Sequence, residues 1–582
     1  MTMELLKALH HETLQLFPDC IRSSSVACIV LYSLSGIAIL LFTVYLWLWP
    51  FQYAKLHFRN LPGPPSDSWF WGVIPTLIKS PPSVPHSMWT DEHGPTIRYR
   101  VALGAQRFLT IDPTALNYIL SHADLFPKPS RVRKALSDLL GNGLLTAEGY
   151  THKKQRKALN PSFSPAAIRG MVPVFYDKAY ELKAKLLSII EGDETEQASP
   201  TPCKEEDEVE GGKKIDVMKY LGKTTLDVIG IVGFSYDFKA LSEPLNELSQ
   251  AYSKMFQAGM DANFWDFLRG AIPLVNKLPN KRATEIAARK AVTLRIGKKI
   301  VEDKKREVMS AHSEGLEKRE DIGNDLLSIL IKANMASDVK PEQKLSDKEV
   351  LDQITTFMLA GNETSSTALT WILYSLTQHP ECQKRLREEV LAVPDDRPSL
   401  ETLNNLSYMD AVIREALRLH APAPGTMREA KEDTVIPLSM PVTGRDGKQI
   451  DSVKINKGVM VFIPIMTVNT SPAIWGPDAR VFNPDRHLKA SSNSFGGANM
   501  HVPGVWGNML SFLGGARNCI GYKLALAEIS TILFVLMRSF EFQELNSKPE
   551  VEKKASVVMR PRIKGEESAG LQMPLMVKPL LM

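Results

Sequence analysis

The pattern of apolar and polar positions along the chain predicts a mainly helical protein. From residue 115 onward, apolar residues recur at helical spacing, and runs that alternate with period two are few. Residues 96–101 (TIRYRV) and 107–111 (RFLTI) do alternate, and they predict a β-hairpin. The late segment 560–577 predicts a second, closing hairpin, with Ala569 and Gly570 near its tip facing a pocket. The fold class expected is therefore mainly α with a small β-rich lobe.

Residues 26–49 form an apolar run of about 24 residues without a charge, long enough to cross a bilayer as one helix. The run ends in Trp47 and Trp49, which suit the membrane interface. A cleaved signal peptide is the alternative, but the run is too long and no small-residue cleavage site follows. Residues 61–65 (LPGPP) predict a semi-rigid spacer. The predicted order is a tail over 1–25, an anchor over 26–49, a hinge over 50–65 and a globular body over 66–582.

The net charge limits the kinds of partner to be expected, and the cysteine spacing indicates the redox state of the cellular compartment. The 70 Lys and Arg residues against 65 Asp and Glu leave a net charge of +5, which does not suggest a nucleic-acid partner. Five cysteines at irregular spacing do not make a disulfide framework, so the body is expected in reducing, intracellular surroundings. Residues 192–214 are acidic and poor in apolar side chains, which predicts a disordered insertion between two helices. Cys203 within this segment is expected to be an exposed thiol.

Cys519 is the strongest candidate for chemistry. It ends a glycine-containing loop, residues 512–521 (FLGGARNCIG), that leads into an apolar helix predicted over residues 522–540. Backbone N–H groups and the helix dipole favour a thiolate at a helix N-terminus, and a thiolate is a strong ligand for haem iron. Phe512 is placed to cover the sulfur, and Arg517 offers a fork for a haem propionate.

The alternative for a lone cysteine is a buried structural role after a glycine turn. Here five positions fit together as F-x-x-G-x-R-x-C-x-G, which is far more specific than most short motifs. Gly515 and Gly521 are expected to let the backbone approach a flat, bulky group. The loop resembles the haem-binding loop of cytochromes P450, and the resemblance implies that Cys519 is the axial ligand of the haem iron.

Residues 360–365 (AGNETS) lie in a long helical run predicted over 352–378. A helix with a tolerated glycine and a polar surface face is the alternative to a local widening over a cofactor. The segment closely resembles the oxygen-activation motif of the P450 long helix. The resemblance implies that Thr364 hydrogen-bonds the oxygen molecule and that Glu363 relays protons to it.

Residues 148–157 form a basic helix start in which His152 and Arg156 lie one turn apart. Such a face is usually only solvated. P450s commonly carry Trp-x-x-x-Arg here with both side chains on haem propionates, so the resemblance implies this role for Arg156 and, in place of tryptophan, for His152. Arg428 stands where the family has another propionate-binding arginine, and residues 423–426 are expected to border the substrate.

Glu415 and Arg418 lie three residues apart on a largely apolar helix, which predicts a buried ion pair that needs further partners. Residues 482–487 (FNPDRH) resemble the P450 segment whose arginine joins such a pair. The resemblance therefore assigns Glu415, Arg418 and Arg486 to a structural network below the haem, without a catalytic role.

The sequences of residues 141–145 (GNGLL) and 504–508 (GVWGN) look most like those of fungal microsomal P450s. The resemblance to the family covers about residues 61–579. It implies haem b and O2-dependent monooxygenation, with electrons from NADPH delivered by a separate NADPH-cytochrome P450 reductase. It also implies a single-pass protein of the endoplasmic reticulum membrane, in contact with lipid, with a cytoplasmic catalytic body. Residues 251–278, rich in aromatic residues and Met, fit either core or the roof of a substrate channel.

The substrate expected is hydrophobic, most of all a terpenoid or sterol-type skeleton of fungal secondary metabolism, oxidised in one or several steps. A fatty-acid or xenobiotic hydroxylase is the alternative within the same reaction class. A thiolate-haem isomerase or a non-catalytic haem scaffold is disfavoured, because such proteins tend to lose the acid–alcohol pair that Glu363 and Thr364 provide.

Overall fold

The structure is a computed structural model. It describes residues 26–46, 50–192, 198–242, 247–248, 250–251, 281–313, 325–335, 343–488, 500–555 and 557–580. The predicted tail over 1–25 and most of the predicted channel roof over 251–278 lie outside these residues.

The described chain is mainly helical, as predicted. The α-helices, in chain order, are α1 Val26–Leu46, α2 Gln52–Lys55, α3 Ile74–Lys79, α4 Val84–His93, α5 Pro113–Ser121, α6 Ser130–Leu140, α7 Gly149–Leu159, α8 Pro165–Glu191, α9 Val217–Phe234, α10 Lys281–Ser313, α11 Leu326–Met335, α12 Asp347–Gln378, α13 Pro380–Leu391, α14 Leu400–Asn404, α15 Ser407–Leu419, α16 Ile465–Asn469, α17 Pro472–Trp475, α18 Asp485–Leu488 and α19 Tyr522–Ser539.

Helix boundaries follow from local chemistry. The long helix α12 begins at a capping box, in which the Ser346 hydroxyl accepts from the Glu349 N–H and the Glu349 carboxylate accepts from the Ser346 N–H. Helix α5 begins after Asp112, whose carboxylate accepts from the N–H of Ala115 at 2.9 Å. The same carboxylate accepts from the backbone N–H of Ser439, so the cap also ties α5 to a distant strand.

The strands form small sheets. They are β1 Thr96–Arg100, β2 Gln106–Thr110, β3 Lys213–Asp216, β4 Thr426–Glu429, β5 Thr434–Thr443, β6 Gln449–Ile455, β7 Met460–Ile463, β8 Phe540–Gln543, β9 Val551–Ala555, β10 Met559–Ile563 and β11 Pro574–Pro579. One sheet has the order β1-β2-β7-β4 and another the order β3-β11-β8, while β5–β6 and β9–β10 are separate pairs.

The first predicted hairpin is confirmed, because β1 and β2 pair antiparallel with Thr96 opposite Thr110. The closing hairpin over 560–577 is present only in part, as one antiparallel bridge between Arg562 and Leu571. β10 pairs with β9, which precedes it, and β11 joins β3 and β8 instead. Period-two alternation marks a strand but does not select its neighbour, so the partner was beyond the sequence pattern.

The core is centred on α12. This helix packs against α9, α15 and α19, and α19 packs in turn against α8. The residues of α12 are buried on nearly all sides over its second half, including Leu369, Ile372 and Leu376. A helix buried in this way forms a rigid wall, and the side chains that project from it and from α19 enclose the cavity described below.

The predicted membrane anchor differs from expectation in part. The predicted anchor is helical over Val26–Leu46, while residues 47–49 lie outside the described range. Within the part of the chain that the structure describes, no helix has the length and hydropathy needed to cross a membrane.

The acidic segment predicted as a disordered insertion lies between two helices, α8 and α9, and its described part, 198–214, contacts segments that are distant in the chain. The carboxylate of Asp207 is buried and accepts from the N–H of Ser547 at 2.7 Å, and β3 begins at Lys213 and pairs with β11. Acidic composition alone missed these contacts, because their partners lie more than 300 residues further along the chain. Cys203 is exposed, as expected.

Candidate active site

The loop that carries Cys519 is held in place by close backbone contacts. The Cys519 N–H donates to the Phe512 carbonyl at 2.9 Å, and a 3-10 turn over Gly515–Arg517 leads to the start of α19. Gly515 has a φ of 65°, and a Cβ there would lie 2.2 Å from the carbonyl oxygen of Leu120. Packing against α5 therefore requires a glycine at 515, while Gly521, the other glycine expected to approach a cofactor, lines the cavity described next.

The thiol of Cys519 faces an internal cavity. The side chain is accessible to solvent, and this accessibility belongs to the cavity wall, because Cys519 is one of the residues that line it. Burial by the surrounding protein raises the pKa of the Cys519 thiol, and the Gly521 N–H and the Arg156 guanidinium act in the opposite direction. The two opposing contacts are those that would stabilise a thiolate once a cation is bound at the sulfur.

The cavity measures about 390 Å³ and is walled mainly by apolar side chains. Helix α12 contributes Phe357, Ala360, Gly361 and Ala368 to the wall. Helix α19 contributes Leu524 and Ile529, and the cysteine loop contributes Phe512. The volume of the cavity lies within the usual range for small-molecule sites, which are concave and mostly apolar. Ala423 and Thr426, predicted to border a substrate, also line the cavity, whereas Ala569 and Gly570 are not among its lining residues.

One side of the cavity carries a cluster of cationic and imidazole side chains. The structure brings together the residues predicted there and adds a lysine; the set is Lys128, His152, Arg156, Arg428 and Arg517. Burial lowers the pKa of the Arg428 guanidinium to about 10. The four cations of this set have one carboxylate, that of Glu148, as an ion-pair partner, so the cluster keeps an excess of positive charge for a ligand that brings two or more negative charges.

The arginines of this cluster are oriented by backbone oxygens. The Arg156 guanidinium donates to the Asn518 carbonyl at 2.8 Å, next to the cysteine, and Arg428 donates to the carbonyl of Met427 at 2.8 Å. Arg517 donates to the carbonyl of Ala147 at 2.6 Å. Each guanidinium keeps further N–H groups for a ligand in the cavity.

His152 is buried and titrates far below neutrality. Burial, together with the nearby charges of Arg517 and Lys128, lowers its pKa to about 3. The imidazole is therefore neutral at physiological pH and offers one N–H donor to a ligand.

Lys128 and Glu148 are site residues that sequence reasoning missed. The Glu148 carboxylate bonds the Arg517 guanidinium and accepts from the Lys128 N–H at 3.2 Å, with the Lys128 ammonium 3.6 Å away. Burial, followed by the charge of Arg428, lowers the pKa of Lys128 to about 8. The available signal was a lysine held between two prolines, Pro127 and Pro129.

Helix α12 is continuous over Asp347–Gln378 and passes through residues 360–365 without a break. Thr364 lines the cavity, and its hydroxyl donates to the Ala360 carbonyl at 2.5 Å. The Glu363 carboxylate instead forms an ion pair with the Arg560 guanidinium of β10, and neither member of this pair is among the residues that line the cavity. The predicted acid and alcohol therefore lie on one helix, but only the alcohol reaches the cavity.

A different acid reaches it. Glu528 of α19 lines the cavity, is 4% exposed, and lies near the Ser365 hydroxyl, which acts to lower its pKa. Burial raises the pKa of the Glu528 carboxyl to about 8. Sequence reasoning missed this residue; the signal was one acidic residue within the apolar helix that follows Cys519.

The predicted network around Glu415 is present and larger than expected. Arg418 donates to both Glu415 carboxylate oxygens at 2.8 Å, Arg486 donates at 3.0 Å, and His487 lies at 3.0 Å. The Asn483 N–H adds another donor at 2.9 Å. Burial alone would raise the pKa of Glu415, but bonds from Arg418 and His487 bring it well below its ordinary value. None of these residues lines the cavity, in line with a structural role.

A mainly helical fold with small sheets, built around one cysteine that faces an apolar, cation-lined cavity, is the architecture of a haem-thiolate enzyme. The donor set fits haem, because a soft thiolate suits the iron and the cation cluster suits two propionates.

Comparisons with known proteins agree. The family model for Cytochrome P450 matches residues 62–565. The chain is 41% identical over 533 residues to Cytochrome P450 monooxygenase 205 of Postia placenta, covering 91% of this chain and 94% of the relative. It is 34% identical to Cytochrome P450 monooxygenase claP of Ampulloclitocybe clavipes, covering 93% of this chain and 97% of that protein. The chain belongs to the cytochrome P450 family and is an oxidoreductase of the monooxygenase type.

Proposed function

We propose that this protein is a membrane-bound, haem-dependent monooxygenase that inserts one oxygen atom into a C–H bond of a large hydrophobic substrate. The observation that carries the proposal is the Cys519 thiol, which faces a cavity with apolar walls and a cation cluster on one side. When bound, haem supplies the activation of O2, a reaction that protein side chains alone do not perform.

The residues of this chain hold and orient that cofactor. Cys519 would supply the thiolate that holds the haem iron, and Phe512 would keep water from the sulfur. Arg156, Arg428 and Arg517 would bind the propionates with the support of neutral His152, and Lys128 would join them. Thr364 presents its hydroxyl oxygen to the cavity as an acceptor, because its proton is directed to the Ala360 carbonyl.

Replacement of Cys519 by Ala tests the haem assignment. The variant is expected to lose the ferrous-CO absorption band of a thiolate-ligated haem, since no other cysteine or methionine of residues 512–521 can take over ligation. Cys382→Ala on α13, a half-buried thiol outside the cavity wall, is the matched control and keeps the band. A normal band in the Cys519 variant would refute the assignment.

The substrate class proposed is a terpenoid or sterol-type skeleton, oxidised in one step or in successive steps at one carbon. Support comes from the rigid apolar walls on α12 and α19, which suit a rigid, water-insoluble guest. Electrons are proposed to come from NADPH through a separate NADPH-cytochrome P450 reductase. Membranes supplied with that reductase would be incubated with a cyclised triterpene, a sesquiterpene, a fatty acid and a polycyclic aromatic. Turnover of only the last two would replace the terpenoid proposal by the alternative of fatty-acid or xenobiotic hydroxylation.

Attachment to the endoplasmic reticulum membrane, with the body in the cytoplasm, is proposed from the uncharged run over residues 26–49. Side chains of α1 such as Ile39, Leu41 and Phe42 are more than half exposed, which fits contact with lipid. A chain that lacks residues 1–50 is expected to bind haem and to leave the membrane fraction in a carbonate wash. Full retention would show that another surface provides the main attachment.

A further inference from the structure

A second cavity is formed where the loop between α8 and α9 folds over strand β3. It measures about 410 Å³ and shares no lining residue with the active-site cavity. Its wall consists of this loop, the start of β3 and Met576 of β11. Hydrogen bonds fix the loop, because the Asp216 N–H donates to the Ala198 carbonyl at 3.0 Å and Ser547 donates to the Asp207 carboxylate. The second cavity is therefore held open by contacts between distant segments of the chain.

Lys214 of β3 brings a buried positive charge to the second cavity. The residue is 7% exposed, and its ammonium group donates to the Thr201 hydroxyl at 3.0 Å and to the Pro202 carbonyl at 2.9 Å. An ammonium group has three N–H donors, so one remains for a further acceptor. No carboxylate of the described residues forms an ion pair with Lys214, although Glu208 lines the same cavity. A buried cation without a counter-charge favours the binding of an anion.

Ser199 is an independent sign of a ligand in the second cavity. It lines the cavity and is 5% exposed, and its hydroxyl has no hydrogen-bond partner among the residues that the structure describes. Buried hydroxyl groups are nearly always hydrogen-bonded, because an unpaired one has lost its bonds to water. A ligand that accepts from this hydroxyl and from the buried ammonium group satisfies both.

We propose that the second cavity binds a small organic anion, with its carboxylate or phosphate group on the Lys214 ammonium and the Ser199 hydroxyl. Carboxylate and phosphate oxygens are the acceptors that such donors bind most strongly. Ala198, Val209 and Met576 give the cavity apolar wall atoms, which cover a short carbon skeleton. The anion therefore carries several carbon atoms and is not a bare inorganic ion. This site is separate from the proposed monooxygenase reaction, and its test does not depend on that reaction.

Protection of Cys203 from alkylation measures binding in the second cavity. Cys203 is exposed and lines this cavity, so a bound ligand covers its thiol. The haem-loaded full chain is treated with N-ethylmaleimide, alone or with butyl phosphate, butyrate, inorganic phosphate or butylamine, and labelling is followed by peptide mass spectrometry. At a probe concentration of about ten times Kd, labelling is expected to slow about tenfold. Cys382, a half-buried thiol outside both cavities, is the internal control and keeps its rate.

The four probes separate the parts of the proposed ligand. Butyl phosphate and butyrate are expected to protect at lower concentrations than inorganic phosphate, because only they place carbon atoms against the apolar wall. Whichever of these two has the lower Kd identifies the charged group that the site prefers. Butylamine has the same carbon chain with a positive charge and is expected to give no protection. Equal protection by butylamine, or no protection by any anion, would overturn the proposal.

Substitutions assign the binding to named groups, with the labelling rate compared with and without the better probe in each variant. Lys214→Gln is expected to raise the Kd about tenfold or more, because a charged hydrogen bond is lost. Lys213→Gln, which changes the exposed neighbouring lysine, is the matched control and has a smaller effect. Glu208→Gln is expected to lower the Kd, because it removes a like charge from the wall.

Ser199→Ala distinguishes a ligand-binding role from a structural one. It is expected to raise the Kd while leaving the thermal midpoint of the ligand-free protein unchanged, because the hydroxyl has no protein partner to lose. An unchanged Kd in both Ser199→Ala and Lys214→Gln, or a raised Kd in Glu208→Gln, would overturn the proposal. If Lys214→Gln fails to fold, the other two variants decide the outcome.

Discussion

Two glutamates are buried in the same helical core and have opposite charge states. Glu415 is fully buried and receives donors from Arg418, Arg486, His487 and a backbone N–H, which hold its pKa below the ordinary value. Glu528 is nearly as buried, has the Ser365 hydroxyl nearby, and has its pKa raised to about 8 by burial. Burial acts on both in the same direction, so the difference comes entirely from the partners.

The comparison separates two uses of a buried acid. A carboxylate with all its acceptor sites filled by cations and N–H groups fixes the segments that supply them, here α15, α18 and the turn before it. A carboxyl group with one partner fixes little, but it can gain and lose a proton at moderate pH. The first residue therefore serves the fold, and the second is available for chemistry.

The largest effect is expected from Glu415→Gln. The substitution keeps the shape but removes the charge that balances two buried arginines, and breaking such a pair costs about 3–5 kcal/mol in free energy of unfolding. We expect a strongly lowered thermal midpoint and loss of much of the haem-loaded fraction, measured by circular dichroism and by the ferrous-CO band. Glu528→Gln is the matched comparison, and an equal loss of stability in both variants would erase the distinction between the two sites.

A smaller loss of stability is expected from Arg560→Gln. The substitution removes the cation that pairs with Glu363, while the Glu363 side chain stays largely shielded from solvent. Removing one member of a charged hydrogen-bonded pair of this kind costs about 1–3 kcal/mol. The expected result is a moderate fall of the midpoint in denaturant-induced unfolding. Lys564→Gln, which breaks an exposed pair with Glu550 of side chains 55% and 66% exposed, is the control and shows almost no change.

The pH dependence of stability is expected to differ between wild type and Glu528→Gln. The folded-state pKa of Glu528, about 8, lies above the ordinary carboxyl value near 4.3, so the folded state binds the proton more tightly than the unfolded state. Its contribution to stability is therefore complete below about pH 4 and is lost as the pH rises towards 8, by at most about 1.4 kcal/mol per pH unit. The thermal midpoint of wild type relative to Glu528→Gln is expected to fall across this window, and parallel curves would contradict the raised pKa.

The smallest effect is expected from Asp410→Asn. Asp410 bonds Arg414 at 2.5 Å on the same helix as Glu415, but the two side chains are 43% and 28% exposed. Exposed pairs at this spacing contribute about 0.3–0.5 kcal/mol. The thermal midpoint is expected to change by no more than a degree or two, which isolates burial as the cause of the large effect at Glu415.

The parts of the site that the residues alone predicted share one property: their chemistry lies in a short, local spacing, whereas longer-range assignments such as Arg486 with Glu415 came from the family resemblance. The loop before Cys519, the pair Glu415–Arg418 and the hairpin β1–β2 are all of this kind. What it could not predict depends on segments far apart in the chain. Arg560 meets Glu363 across 197 residues, and Ser365 meets Glu528 across 163, so each pairing follows only from how α12 packs against β10 and α19.

The same limit explains the packing of Gly515 and the contacts of the acidic segment. Gly515 was expected to face a cofactor, but its neighbour is the Leu120 carbonyl of α5. The acidic segment before α9 has a disordered composition, yet Asp207 finds its partners at Ser547. In each case the local pattern states what a residue can do, while tertiary packing decides which partner it meets.

The close contact between α12 and α9 has a consequence for engineering. A Cβ at Gly361 would lie 2.7 Å from the Ile229 side chain, and both residues line the cavity. The two positions therefore share one volume, so a methyl group added at one must be removed at the other. Exchanging bulk between them would reshape the space next to Thr364 while leaving every ligand and ion pair untouched. The size of substrate that fits beside α12 can therefore be changed by substitutions in α9, a helix that lines the cavity with apolar side chains.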